Sequence, residues 1–206
     1  MPTDQMHDTD FLTLHCLTLA QMATPEKIRT IVGVAEADAE AALARLVETG
    51  DVKAAKGRYV IMPAGRQRLD AIYPELFGSV RSTDKFTGAY ERFEKINQDL
   101  KALITQWQTM TVEGKSVPND HSDADYDAKI IDRLADLHER AEPILDDFAA
   151  VIARLGRYKA RLTEALDKVD AGETDYVSSV RLDSYHTVWF ELHEDLLRIL
   201  GTTRDE

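Results

Sequence analysis

Apolar positions recur every three to four residues along most of the chain, and a period of two replaces that rhythm at one short stretch. A first helix is predicted from Thr9 or Asp10 to Met22. Thr24-Pro25-Glu26 then supplies an N-cap, a proline at the first helical position and an acid in the first turn, which opens a second helix through Val32 with Gly33 as its stop. A third helix is predicted over about Ala37 to Glu48, with Ala41, Leu43, Ala44 and Leu46-Val47 on its buried side and Gly50 at its end.

The alternating stretch follows at once. Asp51-Val-Lys-Ala and Arg58-Tyr-Val-Ile-Met read as two short strands joined by Lys56-Gly57, and Pro63-Ala64-Gly65-Arg66 leads into a helix carrying Leu69, Ile72 and Tyr73. Three helices, a β-hairpin and a further helix make a winged helix-turn-helix, and the exit Val60-Ile-Met-Pro-Ala-Gly-Arg66 resembles that superfamily.

Residues 78–88 (GSVRSTDKFTG) are rich in Gly, Ser and Thr and read as a linker. Beyond them, 89–110 places Phe93, Ile96, Leu100, Leu103, Ile104 and Trp107 on one helical face, with Asn97 close to it. Thr111 to His121 reads as a polar loop. A long stripe then runs from Tyr126 to Leu155, with Pro143 expected to kink or divide it. Gly156 ends the stripe, Tyr158–Val169 forms a shorter helix, and a last helix starts at about Val177 or Asp183 and reaches Leu200. The predicted fold is mainly α: an N-terminal winged helix-turn-helix domain over 1–80, a linker at 81–88 and an antiparallel helical bundle over 89–206.

Charge changes how the first domain is read. The 206 residues hold 25 Lys+Arg and 37 Asp+Glu, a net charge of −12, of which −3 falls in 1–80. The start of the third helix, which faces base edges in a DNA-binding winged helix, reads Ala35-Glu36-Ala37-Asp38-Ala39-Glu40 and offers carboxylates where phosphates would need cations. This argues against DNA and for protein docking, although the same acids also stabilise a helix N-terminus. The single cysteine, Cys16, excludes a disulfide framework, and no segment nears the length of a membrane span, so a cytoplasmic location is expected.

Candidate chemistry concentrates in the C-terminal part. In Asp183-Ser-Tyr-His-Thr-Val-Trp-Phe-Glu-Leu-His-Glu-Asp195, helical spacing puts His186, Trp189 or Phe190, and His193 on one face that continues into Leu196, Leu197 and Leu200. An aromatic wall with titratable imidazoles suits a small aromatic ligand, and a histidine there can take a phenolic proton. Equally, both imidazoles can be core groups satisfied by neighbours such as Asp183 or Tyr185. Asn119-Asp-His-Ser-Asp-Ala-Asp-Tyr-Asp127 opens the long helix; Ser122 or Asp123 suits an N-cap, and the alternating acids also have the look of a partial calcium loop. His121 is a candidate for the mouth of a pocket, and Asn97 and Trp107 for its lining. Arg157, Lys159 and Arg161 form a positive spot that suits a phosphorylated species or a helix-pairing charge set. Phosphate-binding loops of the GxxxxGK[ST] and GxGxxG types are missing from the sequence.

The blocks Asn119–Asp127, Leu155-Gly-Arg-Tyr158 and Asp183–Asp195 resemble the winged-helix plus helical C-terminal extension of actinobacterial enzymes of the pyruvate phosphate dikinase and phosphoenolpyruvate synthase superfamily. They are also similar to the stand-alone small subunit of two-component, dikinase-type kinases of phenolic compounds such as hydroxyphenyl ketones. The resemblance spans about residues 10–201. It implies an acceptor-binding subunit, inactive alone, whose partner is a dikinase-like large subunit with ATP-grasp and phosphohistidine domains. ATP and Mg²⁺ would be held on that partner, with no cofactor on this chain and a small phenol as substrate. In that scheme His193 or His186 would be the base, Trp107, Trp189 and Phe190 would stack on the ring, Tyr185, Asn97 and His121 would hold polar substituents, and Arg157 or Arg161 would offset phosphoryl charge. The competing expectation is a MarR-like winged-helix regulator that senses an aromatic ligand.

Overall fold

Local signals fix the first elements. The hydroxyl of Thr24 accepts from the Lys27 amide, Pro25 occupies the first turn, and Gly33 closes the helix at φ +80, its amide donating to the Arg29 carbonyl. In the computed structural model, which describes residues 6, 8–112 and 114–202, this helix is α2 (Pro25–Val32), between α1 (Asp8–Ala20) and α3 (Glu36–Glu48). The chain is mainly α. It divides into two units, one of residues 1–81 with 193–206 and one of residues 82–192.

In the first unit, β2 (Val52–Ala55) and β3 (Arg58–Ile61) pair antiparallel through a two-residue turn in which Lys56 (φ +50) and Gly57 (φ +76) are both left-handed. A third strand, β1 (Met22–Ala23), joins the other edge of β3, so the sheet order is β1-β3-β2. Pro63 then starts α4 (Pro63–Arg81). Gly65 is required there, because a Cβ would lie 2.5 Å from the Asp51 carbonyl oxygen. The buried face of α3 is Ala39, Ala42, Leu43 and Leu46, whereas the expected Ala41, Ala44 and Val47 are exposed.

Residues 193–202 are held in this unit by polar contacts. His15 and Asp195, both 0% exposed, lie 3.0 Å apart (Nε2 to Oδ1), and the other ring nitrogen of His15 is bonded to the Tyr73 hydroxyl. Arg81 donates from Nε to the Ile199 carbonyl (2.6 Å), one of those that a helix end leaves without an intrahelical partner, and from Nη2 to the Arg198 carbonyl (3.3 Å), which also accepts from the Gly201 amide (3.2 Å).

The second unit is built on α5 (Asp84–Gln108) and α6 (Ala124–Val151). Phe86, Phe93, Leu100, Leu103 and Trp107 bury one face of α5; Ile130, Leu134, Leu137, Ile144 and Phe148 bury one face of α6. The expected linker at 81–88 is instead mostly helical, since α4 reaches Arg81 and α5 begins at Asp84. Composition loses there to packing: Phe86 is fully buried, its ring 5.2 Å from that of Phe148. Pro143 does not divide α6, which runs on to Val151. The segment expected as a polar loop contains a hairpin, β4 (Thr109–Val112) with β5 (Lys115–Pro118). A 3₁₀ turn (Ala153–Leu155) leads into α7 (Gly156–Asp170), and a second one (Thr174–Tyr176) begins a turn-rich connection to α8 (Tyr185–Leu200). The first half of α8 belongs to this unit and the second half to the first. Among the described residues no helix is long and apolar enough to cross a membrane.

Candidate functional site

The β4–β5 hairpin turns the chain back on α5 and so brings Asn119 beside Trp107. The Asn119 amide N–H donates to the Gln108 carbonyl (2.9 Å). Its side-chain Nδ2 donates to the Trp107 carbonyl (3.0 Å) and to Asp127 Oδ1 (2.8 Å), while its Oδ1 accepts from the His121 amide (3.1 Å). With both hydrogens of Nδ2 used and its oxygen occupied, the orientation of this buried amide is determined. It also bonds the amide of His121, whose φ of +58 is a left-handed backbone uncommon outside glycine, though histidine takes it more readily than most.

The imidazole of His121 is fixed from two sides. Its Nδ1 donates to Asp127 Oδ2 (2.9 Å), and its ring centroid lies 4.5 Å from that of Trp107. Asp127 comes from the first turn of α6, whose N-cap is Asp123, accepting from the Tyr126 amide (3.0 Å). A carboxylate on Nδ1–H selects the tautomer whose Nε2 carries the lone pair. No side chain or backbone group bonds that Nε2 among the described residues, and the His121 side chain is 42% exposed.

Trp107 and His121 line a cavity of about 590 Å³, completed by the connection between α7 and α8. That connection contributes Thr174, Ser178, Ser179, Val180 and Arg181, with Asp175 as the only carboxylate of the lining among the described residues. The volume is that of an ordinary small-molecule site. Trp107 is itself 4% exposed, so it gives the cavity little of its indole. An oriented base and several hydroxyls around one space can hold a small hydroxylated ring and take the proton of its hydroxyl.

The other eight residues singled out from the sequence do not line this cavity. Trp189 is 2% exposed and packs in the core, stacked on Phe93 at 4.8 Å between centroids, with Nε1 donating to Asn97 Oδ1 (3.1 Å). Asn97 is thus satisfied by a side chain of the fold. It precedes Trp107 by ten residues, about 15 Å of helix, so the two tryptophans do not share a ring-binding space. Phe190, expected on the buried face, is 42% exposed. His186 is half-buried, and His193 is buried within the first unit. The deeply buried stripe of α8 is Tyr185, Val188, Trp189, Leu192, Leu196 and Ile199, turned from the expected one.

Tyr185 is fully buried, and its hydroxyl lies 3.2 Å from Nδ1 of His138, a residue that the sequence reading passed over. Thr163 Oγ1 uses its hydrogen on the Lys159 carbonyl (3.1 Å) and accepts from His138 Nε2 (3.3 Å), which leaves Nδ1 to accept from Tyr185. Burial pushes the Tyr185 phenol well above its ordinary range and, opposed by Glu142, lowers the His138 imidazole. Both groups are therefore neutral members of a closed chain. The visible sign of His138 in the sequence is its place on the apolar stripe, four residues from Leu134.

Arg157 is exposed. Arg161 is buried at 8% exposure, 2.6 Å from Glu191 and 3.3 Å from Asp183 through Nη2. Burial works against its charge, but the two carboxylates outweigh it and raise its pKa. Two carboxylates around one guanidinium leave no excess positive charge to offset a phosphoryl group, so Arg161 serves as a brace of the fold rather than as the expected phosphoryl contact.

Among the described residues there is no group of three or more His, Cys, Asp or Glu side chains arranged to hold a metal ion. In comparisons with known proteins, no family model, no curated protein and no solved structure matches the chain.

Proposed function

We propose that this chain is the acceptor-binding subunit of a two-subunit phosphotransferase, and that a small phenol docks against Trp107 in the cavity of the second unit. The observation that carries the reading is the Asp127–His121 pair at an open cavity that Trp107 helps to line. The acceptor's O–H proton goes to His121 Nε2 as its oxygen bonds to phosphorus. The P–N bond to a phosphohistidine on the partner breaks at the same time, and the electron pair returns to that imidazole. Asp127 holds the base in its tautomer and stabilises the cation that forms. ATP and Mg²⁺ belong to the partner in this scheme. The base is thus His121 rather than His186 or His193.

In this reading the first unit is a winged helix used for protein docking, and the helices of the second form an antiparallel bundle. The order α1-β1-α2-α3-β2-β3-α4, with a sheet of order β1-β3-β2, supports the winged helix. Glu36, Asp38 and Glu40 are exposed on α3, which supports docking to protein rather than to phosphates. A MarR-like regulator would instead use the same topology on DNA. A DNA titration against salt separates the two, because a regulator shows a specific site and a steep negative slope of affinity with salt.

With a dikinase-type large subunit as donor, His121→Gln is expected to slow transfer to phenol by about 10²-fold or more, the range for a positioned base, while autophosphorylation of the large subunit from ATP is unchanged. An undiminished rate of aryl phosphate formation would overturn the assignment.

A further inference from the structure

We infer that the wall of the cavity formed by the α7–α8 connection is an oxyanion site, which takes the phosphoryl group of an aryl phosphate through Arg181 and the hydroxyls of Thr174, Ser178 and Ser179. The inference rests on the acceptor reading and extends it from the ring to the transferred group.

Among the described residues Arg181 is the only permanent cation of the lining, and no carboxylate lies within ion-pair distance of its guanidinium. Arg161, Lys159 and Lys168, on α7, are by contrast each held by carboxylates. A guanidinium fork presents paired N–H donors that match two oxygens of a phosphomonoester, and hydroxyls suit the third.

The hydroxyls are available. Thr174 and Ser178 make no side-chain hydrogen bond among the described residues. Ser179 Oγ accepts from the Arg181 amide (3.4 Å), which leaves its own hydrogen to donate. The backbone that carries them is tied down independently of any ligand. Val177 is fully buried and its carbonyl accepts from the His186 amide (3.1 Å). The Ser179 carbonyl accepts from Thr187 Oγ1 (3.3 Å) and from the Leu182 amide (3.4 Å). Such a turn presents donors without having to be ordered by the ligand first.

Space and opposing charge are consistent with the assignment. About 590 Å³ exceeds what a single phenol ring fills, so the cavity holds a ring at Trp107 together with a substituent at the turn. Asp175, the one carboxylate of the lining among the described residues, is exposed. Water screens its repulsion of an anion but does not abolish it, and this supplies a variant of opposite sign.

The test is calorimetric titration of the full chain with phenol and with phenyl phosphate. Phenyl phosphate is expected to bind more tightly than phenol. Arg181→Gln is expected to weaken phenyl phosphate at least tenfold and to leave phenol within about twofold, and Asp175→Asn to strengthen phenyl phosphate. An unchanged tryptophan-fluorescence unfolding midpoint shows that each variant is folded. If phenol binds but phenyl phosphate is indifferent to Arg181→Gln, the oxyanion site is refuted and the acceptor reading stands. Phenyl phosphate binding that depends on Arg181 without any binding of phenol upholds the oxyanion site and refutes the acceptor reading. Binding of neither refutes both.

Discussion

Replacing Arg161 by methionine separates a structural brace from a phosphoryl contact. The substitution keeps much of the apolar stem of a side chain that is 8% exposed and removes its guanidinium, which lies 2.6 Å from Glu191, itself 4% exposed. Removing one partner of a buried ion pair leaves the other charge uncompensated and costs about 3–5 kcal/mol. Asp183 is far more exposed, and its share is under about 1 kcal/mol after screening. Taking about 3 kcal/mol and a urea slope of about 2 kcal/mol/M for a unit of this size, the unfolding midpoint should fall by about 1.5 M. Both tryptophans of the chain, Trp107 and Trp189, lie in the second unit, so tryptophan fluorescence reports the unfolding of that unit. Arg161→Met with Glu191→Met should recover most of the loss, because a buried pair and an apolar replacement are close in stability. A shift below about 0.3 M for the single variant, or a double variant equal to the sum of its singles, would refute the brace.

Three further outcomes concern the buried polar groups and the end of α8. Tyr185→Phe leaves His138 Nδ1 without its donor and should cost the second unit about 1–2 kcal/mol in urea unfolding; no measurable loss would contradict the Thr163–His138–Tyr185 chain. Burial lowers the His138 pKa, so near and below pH ~6.5 the unfolded chain binds a proton that the folded chain does not. Its contribution is present in full above that pH and is lost as the pH falls towards the folded value, so His138→Gln should show a smaller drop in urea midpoint between pH 7.5 and 5.5 than the wild type does. Arg81→Gln removes charged donors from the Ile199 and Arg198 carbonyls and should speed amide exchange in the last turn of α8, read by hydrogen exchange of residues 197–202. Unchanged protection there would count against the cap.

How much of this was readable beforehand depends on what kind of residue carries the signal. The face of α5 could be read because Phe93, Leu100 and Trp107 are large and regularly spaced. The face of α3 could not, because alanines are compatible with either side, and it is Ala39 and Ala42 that are buried. The strand β1 has two residues and exists through its pairing with β3, which lies some forty residues away. The β4–β5 hairpin is largely polar and exposed, so the alternation that reveals a half-buried strand is lacking. At the site, the Asn-Asp-His-Ser run marked His121, but the carboxylate that orients it comes from six residues on, after a helix has begun. On α8, a shift of one residue turns the buried stripe by about 100°, enough to expose Phe190 and to pair Trp189 with Asn97 instead of with a ligand. Spacing says that two residues are buried; it does not say that they meet.

The most direct measurement is a phenol titration followed by NMR of the indole N–H and imidazole resonances of the full chain. If a phenol docks beside His121, saturable shifts appear at Trp107 and His121 and are weakened by Asp127→Asn, with Trp189 unmoved because its N–H is already bound to Asn97. Saturable shifts centred on Trp189 and His193, or none at Trp107, would contradict that docking.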